Sequence, residues 1–219
     1  ASLKTFGEEP SPILVCQQVG EAHLKAGRFK EALAEFRALV AAHPTSAAPL
    51  IRLSRAQLQA GLGESARETL RRAIALEPAS EHAHRQLGWT LEHDAIGRRF
   101  SPGWDRAGAA AALRKAMELA PELRAARIDL AILLSCDESG AWYASSDMEE
   151  VVKLYQDQLR LGKDEKAQAN LTEALARMGR FAEARDSALA MEPSDDRKGW
   201  ITAMDACIKG SEAAVLEAR

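Results

Sequence analysis

The chain has 219 residues, 47% hydrophobic and 28% charged, with a formal charge of −3, proportions ordinary for one or two soluble domains or one repeat array. That charge argues against the strongly basic face of a nucleic-acid binder, and no apolar run approaches the roughly 20 residues needed to span a bilayer. Aromatic residues are only 5% of the chain, which favours closely packed helices of small residues over sheets.

In chain order, Ala1–Pro10 reads as a polar lead-in, and Ser11-Pro12 as a helix start with Ser at the N-cap and Pro at the first helical position. The first helix is expected to run to about Ala26, with Val15, Cys16, Val19, Ala22 and His23 on one face. Gly27 ends it, and Phe29 to about Ala42 forms its partner before Pro44. The stretch Ala26–Pro44 recurs in altered form at Ala60–Pro78, 34 residues later. The second pair therefore comprises about Ser46–Ala60 and, after Gly61, a helix to Glu77. Both are antiparallel helix pairs with very short connections.

A third unit starts at Glu81 with Leu87, Gly88 and Leu91 in phase, but its second helix arrives nine residues late, at Ala109, Leu113, Ala116 and Pro121. The insertion lies around Glu92–Trp104. A fourth unit from Arg124 carries a related one: Asp94, Gly97 and Phe100 correspond to Asp137, Gly140 and Tyr143 at a shift of 43. Ser146 to Glu149 then reads as a capping box. A fifth unit returns to the short form, with Gly179-Arg180-Phe181 echoing Gly27-Arg28-Phe29. A last helix, about Asp195–Lys209, either caps the array or opens a degenerate sixth unit with residues 212–219 as its partner.

These residues carry a resemblance. The chain resembles the tetratricopeptide-repeat family, whose unit is a 34-residue helix–turn–helix. Cys16, Val19, Gly20, His23, Ala32, Phe36, Leu39 and Pro44 occupy its consensus positions in the first repeat. Leu50, Leu53, Ser54, Gln57, Ala66, Leu70, Ala73 and Pro78 do so in the second. The resemblance implies an all-α, right-handed superhelical solenoid of about five antiparallel helix pairs (13–46, 47–80, 81–123, 124–164 and 165–193), preceded by 1–11 and followed by 194–219. Small residues at Gly20, Ala32, Ser54, Ala66 and Ala73 would let helices approach closely, and Phe36 and Leu70 would fill the space between repeats.

It also implies that the first helix of each repeat lines a concave groove. Carried over by position, the groove offers Gln17, Glu21 and Lys25, then Arg52, Arg55 and Gln59, then His82, Arg85, Trp89 and His93. The fourth repeat adds Ile128, Asp129 and Ile132, and the fifth Lys166, Asn170, Glu173 and Arg177. Arg52, Arg55 and Arg85 are spaced to form a basic strip beside Trp89. Arginine binds carboxylates bidentately and tryptophan offers broad apolar area. The expected partner is therefore a protein or peptide, with an acidic or C-terminal segment in the groove. Gln17 and Glu21 stand where the family's chaperone-binding members carry Lys and Asn, which excludes that specialised role. The two insertions are expected side by side, either packing on each other or forming a second edge with Arg98, Arg99, Phe100, Trp104, Trp142 and Tyr143.

No catalytic signature stands out. Cys16, Cys136 and Cys207 show neither metal nor redox spacing. His82 and His84 point to different faces of one helix, so no metal and no cofactor is expected. The thiols fit a reducing compartment, favouring cytoplasm over periplasm. The start at Ala1 without Met reads as a trimmed segment. Three alternatives stay open: self-association through the apolar ends or the loops, a regulatory segment of a larger bacterial multidomain protein, and, least favoured, an enzyme or metal protein using His82, His93 and their neighbours.

Overall fold

The structure, a computed structural model, describes residues 12–143, 145 and 147–217. The lead-in, the Ser11 cap and the Ser146 half of the capping box lie outside the described residues. Two compact units divide the chain at Asp105/Arg106.

The first unit holds α1 (Pro12–Lys25), α2 (Phe29–Ala42), α3 (Ala47–Gln59), α4 (Gly63–Leu76) and α5 (Glu81–Leu91). Successive helices pack on one another, and α3 also touches α5, so first helices of neighbouring repeats lie side by side. The turns inside the first two pairs share one device. Gly27 and Gly61 take φ of 70° and 76°, a conformation that costs a side-chain-bearing residue about 1–2 kcal/mol. The next amide then reaches back over the helix end, Arg28 N to His23 O at 2.9 Å and Leu62 N to Gln57 O at 2.8 Å. This satisfies carbonyls that the helix leaves open.

The core of this unit follows the consensus positions. Phe36, Leu70, Ala32, Ala66 and Ala73 are buried, and an aromatic side chain so placed stabilises by roughly 3 kcal/mol. Gly20 is needed for Phe36, because a Cβ at Gly20 would stand 2.7 Å from the ring Cζ. Glu77 is tied down structurally, its carboxylate accepting from the Ala47 amide at 2.8 Å at the start of α3.

The second unit holds α6 (Arg106–Leu119), α7 (Arg124–Leu134), α8 (Met148–Arg160), α9 (Glu165–Arg177), α10 (Phe181–Leu189) and α11 (Asp195–Glu217). Leu113, Leu130, Leu133, Leu134 and Val151 are fully buried. Buried Arg127 is satisfied by Pro121 O at 2.6 Å and Gln158 Oε1 at 3.2 Å. Asp147 stands at the N-cap of α8, without a side-chain cap bond. Its carboxylate instead accepts from Arg106 at 2.6 Å, and Glu149 pairs with Arg180 at 2.9 Å. The final helix runs without a break from Asp195 to Glu217, so no turn sets a separate partner helix after Lys209.

Both insertions fold into the same small hairpin. Asp94 N bonds Arg98 O at 2.9 Å and Phe100 N bonds Glu92 O at 2.7 Å. In the second unit Asp137 N bonds Ala141 O at 3.0 Å and Tyr143 N bonds Ser135 O at 2.6 Å. Each aspartate carboxylate accepts backbone amides two and four residues on, from Ile96 and Arg98 in one and Ser139 and Ala141 in the other. These bonds hold both carboxyls below the ordinary range, chiefly the Arg98 amide at Asp94 and the Ser139 hydroxyl at Asp137. Phe100 and Tyr143 both take left-handed backbone, φ 51° and 57°.

Candidate functional site

The groove positions of the first unit come from α1, α3 and α5. Glu21, on the middle of α1, faces α3 and meets Arg52 at 3.7 Å and Arg55 at 3.4 Å. One carboxylate is thus shared by two guanidinium groups, each through a single nitrogen at long range. Gln17, half-buried, borders a shallow hollow of about 350 Å³ with Glu21, Lys25 and Arg52. Arg52 and Arg55 also border a larger hollow of about 770 Å³, with Ile51, Pro78, His82 and Gln86 among its walls. Glu77 and Glu81 line the same hollow, so the expected basic strip is interleaved with acids. Gln59 is exposed and Arg85 half-buried. His82 is exposed, its ring Nδ1 2.6 Å from Glu81 Oε1. The Glu81 carboxyl is held below its usual range, first by its own backbone amide and then by His82.

Trp89, half-buried on α5, is the residue of that helix on which the insertion packs. The Arg99 guanidinium lies 4.2 Å from the Trp89 ring centre and 4.4 Å from that of Phe100. Phe100 in turn meets Trp104 edge-on at 5.2 Å, and the Trp89 ring meets His93 at 5.4 Å. Beneath them Glu92, 0% exposed, accepts from Arg99 Nε at 2.7 Å.

Three expectations are corrected here. His93 does not line the groove: it is only 8% exposed. The helix ends at Leu91, so the thirteenth position of the repeat falls in the hairpin. His93 bonds the Trp89 carbonyl through Nδ1 at 2.8 Å, and its own carbonyl accepts from Arg67 at 2.5 Å. Burial pushes the His93 imidazole below its ordinary value. Arg99 is not displayed at an outer edge but clasped between two rings. Phe100 and Trp104 are likewise half-buried. Arg98 is on the surface, 63% exposed and paired with Asp94 Oδ2 at 2.7 Å. In the second unit Trp142 is 51% exposed, while Tyr143 is half-buried with Arg177 over its ring at 5.4 Å. Burial pushes the Tyr143 hydroxyl up. Asp129 is also buried rather than presented.

Sequence reasoning missed Glu92, Arg67 and the role of Gly63. The Gly63 amide donates to Ala95 O at 2.9 Å, so the hairpin is docked on the turn of the preceding repeat. No signal in a single sequence pairs those positions. Among the described residues no cluster of His, Cys, Asp and Glu could hold a metal, and no helix is long and apolar enough to cross a membrane.

Comparison with known proteins agrees with this architecture. Residues 23–87 match the model of a family described as tetratricopeptide repeat. Among solved structures, the chain is similar to the pilF protein of Pseudomonas aeruginosa, with TM-score 0.67, 15% identity and coverage of 93% of this chain and 87% of that one. It is also similar to a thermophilic tetratricopeptide-repeat protein of Thermus thermophilus, with TM-score 0.58, 18% identity and coverage of 90% and 98%. A MamA protein gives TM-score 0.59, 18% identity and coverage of 80% and 87%. At these identities the likeness concerns the fold. No curated protein sequence matches the chain.

Proposed function

We propose that this chain, which carries tetratricopeptide repeats, is a non-catalytic scaffold that holds a protein segment along the faces of α1, α3 and α5. Arg52 and Arg55 would take carboxylates of an acidic or C-terminal segment, and Trp89 would supply the apolar anchor. The observation that carries the reading is the sharing of Glu21. Two guanidinium groups, each with five N–H donors, spend one long contact apiece on it. A partner carboxylate can take the remaining donors while Glu21 keeps its pairing. Exposed ion pairs of this kind contribute little to stability, about 0–1 kcal/mol, so their persistence in the fold does not explain the strip.

The test is an array of immobilised peptides, acidic and neutral, with free or amidated C-termini, probed with the full chain. Acidic peptides should bind, and Arg52→Glu with Arg55→Glu should weaken them at least about tenfold, as expected for charge contacts at an interface. Equal retention of acidic and neutral peptides, or equal binding by the variant, refutes the reading.

A further inference from the structure

The two hairpins provide an internal comparison. At a shift of 43 their backbone bonds, their aspartate turn and their left-handed aromatic are the same. Their side chains are not. Where the first hairpin has Glu92 and Arg99, the second has Ser135 and Trp142, and at the register of Trp89 stands Ile132. The hairpin therefore folds without a Glu–Arg pair. Something else must account for that pair in the first repeat. Its stability contribution is a poor explanation, because a fully buried carboxylate is costly to desolvate and such pairs are often no better than apolar residues.

The geometry supplies an alternative. Glu92 accepts Arg99 Nε at 2.7 Å, and Arg99 Nη2 lies 2.6 Å from the same carboxylate oxygen, which anchors the guanidinium. Its central carbon lies over the Trp89 ring at 4.2 Å and over the Phe100 ring at 4.4 Å. Trp104 meets Phe100 edge-on at 5.2 Å, and the bond from His93 to the Trp89 carbonyl ties the end of α5 into the same cluster. A chain of contacting groups thus runs from the inserted loop to Trp89 on α5. A tryptophan held in one orientation binds with less loss of freedom than one that must be ordered on contact.

We propose that the insertion of the third repeat is a brace for Trp89, with Arg99 as the positioning residue, so that loop and groove act as one binding element. This rests on the groove reading above, but its primary test does not. The full chain is labelled with 5-fluorotryptophan, giving one fluorine resonance for each of its four tryptophans, and Trp89→Phe assigns the line of interest. In the wild type the Trp89 line is narrow and single. Arg99→Lys keeps the charge beside Glu92 but lacks the planar, multi-donor guanidinium, and it broadens or shifts that line while leaving the Trp142 line in place. Glu92→Gln keeps the volume, loosens Arg99 and has the same effect, which guards against a folding defect peculiar to one variant. Acidic peptides from the array bind either variant about fivefold more weakly, the size of one stacked cation, although neither residue is replaced by an opposite charge. An unchanged Trp89 line in both folded variants overturns the brace. A changed line with unchanged peptide affinity overturns the link to binding. If no peptide binds the wild type, the groove reading fails, and the fluorine spectrum still decides the brace.

Discussion

Replacement of Gly63 by alanine tests the docking of the first hairpin most sharply. Gly63 is the first residue of α4, where alanine is ordinarily the better helix former by up to about 1 kcal/mol. Here an added Cβ would stand 2.3 Å from Asp94 O and 3.1 Å from both C and O of Ala95. These are backbone atoms in a turn already fixed by two amide bonds to the Asp94 carboxylate, so no side-chain rotation relieves the clash. The hairpin must retreat by about 1 Å to restore ordinary non-bonded separations near 3.5 Å. That movement loosens the Gly63–Ala95 bond and the contact from Arg67 to His93 O, worth about 1 kcal/mol and roughly 1.5–3 kcal/mol respectively. Set against the propensity gain, Gly63→Ala is expected to destabilise by about 1.5–3 kcal/mol. Urea unfolding followed by circular dichroism reads this directly, and hydrogen exchange at the Arg98 and Phe100 amides should accelerate. Gly199→Ala is the control. It sits inside α11 with nothing within 4 Å of the new Cβ, so it should stabilise by about 0.5–1 kcal/mol. A Gly63→Ala protein as stable as wild type, with protected hairpin amides, would refute the docking argument.

Other perturbations follow from the same geometry. Gly20→Ala brings a Cβ to 2.7 Å from Phe36 Cζ, and because Phe36 is buried the ring has no free space to turn into, so a loss of roughly 1–3 kcal/mol is expected; an unchanged unfolding midpoint would count against it. His93 predicts a pH dependence. Burial, with Arg99 and Arg67 adding to it and the Trp89 carbonyl and Asp94 opposing it, holds the imidazole below 6.5. The unfolded chain then binds a proton that the folded chain refuses, so stability is full above 6.5 and falls as the pH drops from there toward the depressed folded value. His93→Gln should flatten that limb, and parallel profiles for the two proteins between about pH 7 and about pH 5 would exclude the assignment.

The repeat register was legible because each of its signals is local or strictly periodic. Gly27 and Pro44 bracket α2 in the sequence as they do in space, and Phe36 and Leu70 recur at the family's spacing because each meets the same kind of neighbour. Assignment of residues to a groove rests on that template alone. It fails at the thirteenth position of the third repeat, since α5 stops at Leu91 and His93 turns inward. In the insertion, Asp94, Gly97 and Phe100 could be recognised as a motif because the turn is made by its own residues. Its docking could not, because Gly63 and Arg67 contribute from a helix some 30 residues earlier. The missing side chain at Gly63 leaves the space that the hairpin backbone occupies. The same distinction separates the two loops. What they share, the aspartate turn and the left-handed aromatic, builds the hairpin. What they do not share, Glu92 and Arg99 against Ser135 and Trp142, faces a different neighbour in each case. A residue pair that is dispensable for the local fold and costly to bury is best explained by what it touches, and what Arg99 touches is Trp89 on α5.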